Sequence, residues 1–389
     1  AGINGSGKHN TWSMCTDNGM NLLEPGESPV ENAQFLLFLT ALIEAIDRYQ
    51  DLVRVTVASA SNDHRLGADE APPAIVSMFL GDELTEILES IANGSVASAR
   101  GKNKMVLGVH VLPDFPRDAT DRNRTSPIAF TGNKFELRML GSSFNAAGPN
   151  IVLNTALASV LDSYATELET AVSNGGNLDE ALTTLVGRAY REHRRIVFNG
   201  NNYSPKWRKE AEKRGLLNLQ TTVDAVSAFS NPVNVELFSK YGIFTKSELE
   251  SRKEIVLESY NKTVNIEAMT MLDMVRTQII PAVSSYSGAY ASSAMQRKAL
   301  CPALDTSCDE DFTRRLNGLL SSLHSKMDEL ETSIAAASAS KESLEKGRFY
   351  STKVIPCMQN LRTVADEAES LVASSYWPYP TYGELLFST

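Results

Sequence analysis

The chain is poor in cysteine, in long apolar runs and in basic charge. Four cysteines stand among its 389 residues, at positions 15, 301, 308 and 357. None belongs to a C-x-x-C pair or to a Cys/His array with zinc spacing, which excludes a zinc ribbon. Cys301 and Cys308 are near enough in sequence to pair, but reduced thiols are the expected state, as in the cytoplasm or a plastid stroma. No stretch reaches the ~18 consecutive apolar residues of a membrane helix. "FLLFLTALIEAI" comes nearest, and Glu44 and Asp47 close it off. Lysine and arginine number 37 against 47 acidic residues, a formal net charge of −10. That balance excludes a general nucleic-acid surface, which needs clustered basic groups. The one basic run, "YREHRR" at residues 190–195, reads as a solvated helix face. The chain has no secretory-signal pattern, and it opens without methionine inside a glycine-rich stretch, so it is expected to be a fragment.

The remaining composition is that of a globular protein, 42% hydrophobic and 22% charged, with length enough for two domains. Apolar residues spaced at three and four predict helices over 29–49, through Phe35, Leu39, Leu42, Ile43 and Ile46, and over 74–92, 150–172 and 176–195. Alternation predicts strands in "LVRVTVAS" (52–59), "KMVLGVHVL" and "NKFELRML". Past "NGNNYSPKW" (199–207) glycines thin out and helical spacing dominates. Phe312, Leu316, Leu319, Leu323, Met327, Leu330 and Ile334 form an apolar seam, fit for a bundle or for coiling on a partner. Val264, Ala268, Leu272, Val275 and Ile279 form another, expected to stop at Pro281. The final "YWPYPTYGELLF" reads as an extended, docked tail. The class expected is α+β, with mixed structure over 1–205 and a mainly helical domain over 206–389.

Candidate chemistry begins at "GINGSGKHN". From Gly2 it matches G-x-x-x-x-G-K, but His9 stands where a P-loop needs Ser or Thr for its metal, and no apolar strand precedes it. Three further stretches are unusually polar. "NDHRLGADEAPP" carries Arg65 and Glu70, "DRNRTSP" carries Arg122 and Arg124, and "NKFELRM" places Lys134, Glu136 and Arg138 on one strand face. A strand face with three charges is solvated, internally paired, or lines a site. Together these stretches supply an imidazole, carboxylates, guanidiniums and open backbone. Phosphoryl transfer needs that set, for metal holding, charge neutralisation and close approach to phosphate.

"NGSGKHNTWS" resembles the N-G-S-G-x-H motif of glutamine synthetases. "NDHRLGADEAP" resembles their Arg-Leu-x-x-x-x-Glu-Ala-Pro flap loop, "RNRTS" their Arg-Asn-Arg-Ser segment, and "KFELR" their basic-x-Glu-x-Arg strand. "GSGKHN", "NDHRLGA", "TSPIAFTGNKFE" and "WPYPTYGELL" resemble the type III branch, which has a long helical C-terminal region. The resemblance implies the C-terminal part of a catalytic domain over 1–205, of antiparallel strands with packed helices, and the type III helical domain after it. It implies ATP-dependent ligation of ammonia to glutamate through γ-glutamyl phosphate, with Mg²⁺ or Mn²⁺. It implies a homo-oligomer, a dodecamer of two hexameric rings, that binds neither nucleic acid nor membrane.

By the same resemblance, His9 and Glu136 match metal ligands, and Asn4 and Gly5 match the glutamate-holding loop. Arg65 matches an arginine facing the substrate carboxylate. Glu70 matches the flap carboxylate that helps deprotonate ammonium. Arg138 matches a residue stabilising the transferring phosphoryl group, and Arg124, Lys134 and Ser13 fall at the nucleotide. Thr11 replaces a usual second histidine, "PIAF" stands where a further arginine is expected, and the family's other metal ligands precede the glycine motif. These 389 residues alone are therefore expected to be inactive. The alternatives are a related ligase for another amine, a non-catalytic relative, or a helical oligomerisation module.

Overall fold

The computed structural model describes residues 7–68, 71–94, 125–380 and 382–387. The chain divides into two compact units, Ala1–Val256 and Leu257–Thr389.

The first unit is built around a small mixed sheet. Strands β1 (Gly7–Trp12), β2 (Met78–Phe79), β3 (Ile128–Phe130) and β4 (Phe135–Gly141) lie in the order β1-β4-β3-β2. β4 is antiparallel to both β1 and β3, and β3 runs parallel to the short β2. The "NKFELRML" strand is borne out, while "KMVLGVHVL" lies outside the described residues.

Helix α1 (Ala33–Arg48) is the centre of this unit. Asn32 caps it by accepting from the Phe35 amide at 3.0 Å, and Phe35, Leu39, Leu42, Ile43 and Ile46 are all buried. The predicted strand at 52–59 is instead helix α2 (Gln50–Val55), followed by helix α3 (Ala60–Arg65). Leu52, Val53, Arg54 and Val55 are consecutive and all buried. A short helix enclosed on every side has no amphipathic period, and its valines mimic strand alternation. The helix predicted over 74–92 also begins late. Residues 71–80 are buried throughout, Met78 and Phe79 pair with β3, and Gly81, at φ +84°, turns the chain into α4 (Asp82–Ala92).

Helices α5 (Ala147–Ser173) and α6 (Leu178–His193) fall where their spacing predicts, and α1 packs against both. Helices α7 (Pro205–Lys213), α8 (Thr222–Ala225) and α9 (Pro232–Lys240) follow, and their Trp207, Ala211, Ala225 and Leu237 enter the same core. Helix α10 (Lys246–Met274) comes next.

In the second unit the expected stop at Pro281 does not occur. Proline lacks a donor, and its ring collides with the carbonyl four residues back. Here the preceding turn, Val275–Ile279, widens to π geometry, and α11 (Ile280–Leu300) continues the helix. The same device recurs after α12 (Ser307–Ala339) and α13 (Ser343–Phe349), where the π turn Tyr350–Val354 precedes Pro356 in α14 (Ile355–Leu371). The α12 seam is buried from Leu316 to Ile334 and packs against α11 and α14. The tail is not wholly extended. Pro378 and Pro380 interrupt it, and α15 (Tyr382–Phe387) then forms with Leu385, Leu386 and Phe387 exposed.

Candidate functional site

β1 is a strand, with no helix N-terminus behind its glycines, so the P-loop geometry is absent. Lys8 Nζ donates to the Phe144 carbonyl at 2.5 Å. Asn10 and Trp12 follow it, donating to Asn150 Oδ1 at 2.7 Å and Asn154 Oδ1 at 2.9 Å. Alternate residues of β1 thus tie the strand to the start of α5.

The β1–β4 register slips between Lys8 and Asn10: the extra residue of a β-bulge lies on β4, where Arg138 and Met139 together oppose His9. The imidazole is half exposed, with Nδ1 3.8 Å from Glu136 Oε2. Thr11, at the position of the absent second histidine, lies directly across from Glu136.

Glu136 and Arg138 stand two apart on β4 and share a face, as predicted. Arg138 is 3% exposed, and its Nε and Nη2 donate to Glu136 Oε2 at 3.3 and 3.2 Å. Lys134 is one residue short of the strand. It belongs to the hairpin turn in which Thr131 donates to the Lys134 carbonyl, and its ammonium meets Asn133 Oδ1 at 3.4 Å. Ser13 Oγ donates to Asn21 Oδ1 at 2.7 Å and to the Asn133 carbonyl at 3.1 Å, bracing that turn.

Arg65 ends α3 and reaches under the strand pair. Nη2 donates to the Arg138 carbonyl at 3.1 Å and Nη1 to the Met139 carbonyl at 3.2 Å. It is 5% exposed, and burial lowers its pKa from the ordinary arginine value, opposed by Tyr203 nearby. Gly7 packs against this guanidinium; a Cβ there would overlap it. His9, Glu136, Arg138 and Arg65 are therefore brought together by the β1–β4 pair and α3. Asn4, Gly5, Glu70 and Arg124 lie outside the described residues, as does Arg122.

Sequence reasoning missed two asparagines. Asn62 is 1% exposed, and its Nδ2 donates to the Val57 and Met139 carbonyls at 2.6 and 2.9 Å, fixing the helix that carries Arg65. Asn202 is 2% exposed. It donates through its amide to Thr125 Oγ1 and through Nδ2 to Ser126 Oγ, and accepts from Ser77 Oγ. It thereby anchors the residues that directly follow Arg124. The polar loop "NGNNYSP" was the only available signal.

A divalent ion sits about 2.1 Å from each ligand atom, so one ion can bridge two atoms up to about 4.2 Å apart. The His9 and Glu136 atoms are within that span; the carboxylate suits Mg²⁺ or Mn²⁺, while the imidazole is a donor more usual on Zn²⁺, Fe²⁺ or Ni²⁺. Among the described residues no group of three or more His, Cys, Asp or Glu is placed to hold a metal.

Fold and site together define an α+β chain with a paired acidic–basic face on a bulged strand. Comparison with known proteins is specific. The glutamine synthetase C-terminal domain matches residues 181–298. A glutamine synthetase of Butyrivibrio fibrisolvens is 41% identical over 387 residues, covering all of this chain and 55% of that protein. A type-3 glutamine synthetase of Dictyostelium discoideum is 41% identical over 398 residues, all of this chain and 53% of that protein. A glutamine synthetase of Bacteroides fragilis is 34% identical, again over all of this chain and 54% of its own length. The chain is similar to glutamine synthetases along its whole length and spans about half the length of the curated relatives it matches. Among the described residues no helix is long and apolar enough to cross a membrane.

Proposed function

We propose that the protein containing this chain joins ammonia to glutamate at the expense of ATP. The observation that carries the reading is the cluster of His9, Glu136 and Arg138 beside Arg65, in a chain that matches glutamine synthetases from end to end. In this reading a γ-carboxylate oxygen of glutamate attacks the γ-phosphorus of ATP, the bond to ADP breaks, and γ-glutamyl phosphate forms. Ammonia then attacks the acyl carbon and phosphate leaves.

Arg138 serves the first step. Its guanidinium is desolvated and oriented by Glu136, so charge on the transferring group meets a donor that needs no rearrangement. Arg65 orients the substrate carboxylate. Glu70 takes the proton released when ammonium becomes ammonia, and Asn4 and Gly5 hold glutamate. Arg124, Lys134 and Ser13 lie along the nucleotide, and the Ser13 hydroxyl braces the hairpin turn. Mg²⁺ or Mn²⁺, held in part by His9 and Glu136, would neutralise phosphate oxygens. The protein is further read as a homo-oligomer of two hexameric rings acting in the cytoplasm or a plastid stroma, and particle mass by light scattering tests the number.

The decisive experiment is phosphate release by the complete protein with glutamate, ATP and ammonium. Glu136→Gln is expected to lower turnover at least about a hundredfold, the scale of losing a prepositioned charge at a transition state, and to raise the Mn²⁺ concentration needed for half-activity. Unchanged turnover would remove Glu136 from the reaction. Turnover with an alkylamine but not with ammonium would make the protein a ligase for another amine.

A further inference from the structure

The basic run at residues 190–195 is more than a solvated face. α6 ends at His193, and Arg194–Ile196 tightens into one 3-10 turn. Arg191, Arg194 and Arg195 thereby reach a single cleft, and Arg214 closes it from the end of α7. The cleft holds about 570 Å³, within the roughly 300–1,000 Å³ of small-molecule sites.

Two of the four arginines are fixed. Arg195 Nε donates to both oxygens of Asp47, at 2.8 and 3.0 Å, and Asp47 is itself buried and shared with His193. Arg214 lies over the stacked rings of Phe198 and Trp207, and its Nη1 donates to the Val197 carbonyl at 2.8 Å. The other two are lightly held. Arg191 Nη1 caps the Ala92 carbonyl, and Arg194 makes a 3.7 Å contact with Glu89 on the cleft wall. Each keeps most of its N–H groups for another acceptor.

The lining carries four guanidiniums and two carboxylates, Glu89 and Glu192, and Glu192 faces Arg188 at 3.8 Å. Behind it Asp47 pairs with Arg195 and Glu210 with Arg214, so the donors offered to a ligand are mainly those of Arg191 and Arg194. Guanidinium forks approaching from several directions suit a tetrahedral oxyanion with many acceptor positions. We propose that this cleft binds a phosphate-bearing small molecule, Arg195 and Arg214 forming a rigid frame and Arg191 and Arg194 closing on the phosphate. It shares no lining residue with the His9–Glu136–Arg138 face, so the proposal stands independently of the ligase reading.

The test is calorimetric titration of inorganic pyrophosphate into the complete protein, in buffer with a chelator so that no metal site competes. Wild type should bind, and Arg191→Gln/Arg194→Gln should bind at least about tenfold more weakly, the scale of two lost charge-assisted hydrogen bonds. Both side chains are exposed, so the fold should survive, which circular dichroism checks. Glu192→Gln removes an opposing charge and should tighten binding, which a merely damaged protein would not do. Arg138→Gln should leave this binding unchanged. No binding by wild type, or binding abolished by Arg138→Gln and kept by the double variant, overturns the proposal.

Discussion

Gly7 and Arg65 make a pair in which one residue exists to admit the other. Arg65 has little room to retreat. It is buried, and the carbonyls of Arg138 and Met139 hold it from the strand side. The glycine-rich opening would be expected to let a ligand phosphate approach; at Gly7 what approaches is an arginine side chain. Gly7→Ala should therefore cost about 1–3 kcal/mol, the scale of overpacking a tight contact. In an Arg65→Ala background the same change should cost close to nothing, since the clash has been removed. Urea denaturation of the four proteins gives the coupling. Strictly additive costs would show that the two positions do not meet.

At the scale of elements, α2, α3 and α8 are too short to persist alone. One buried ion pair links them. Arg54 of α2 donates to Asp63 of α3 at 2.9 Å, and Asp63 accepts the Thr222 amide at the start of α8 at 2.5 Å. Burial pushes the Asp63 carboxyl above the usual carboxylate value, although Arg54 and Thr222 pull the other way. A raised acid holds its proton more firmly when folded than when unfolded. Its contribution is full below the ordinary aspartate pKa and is lost as pH rises through the raised one. Asp63→Asn should flatten stability across that window, as measured by chemical denaturation at a series of pH values. An identical slope in wild type and variant would place the titration on another group. The same elements mark the limit of legibility. α1, α5, α6 and the α12 seam each expose one polar side or run long enough to declare a period. α2 does neither. In the site, His9, Arg65, Glu136 and Arg138 stand in local motifs that can be read, whereas Asn62 and Asn202 act on residues some 77 positions away and leave no pattern nearby.

At the scale of the whole molecule, a hydrophobic core runs from Leu23 to Leu249 and lies entirely within the first compact unit. The second unit has its own buried seam, in which Leu316, Leu323 and Leu330 are fully enclosed. Units with separate cores need not unfold in one step. Leu323→Ala should cost about 2–5 kcal/mol, as for a buried leucine truncated in a packed interior. That loss should be local. Amide hydrogen exchange should quicken across the buried helices of 257–389 and stay unchanged in α1, α5 and α6. The site residues on β1 and β4 belong to the first unit, so any chemistry they support should survive at temperatures where the second unit is already loosened. Equal acceleration in both units would mean that the chain unfolds as one cooperative body and that the helical unit directly sets the stability of the site.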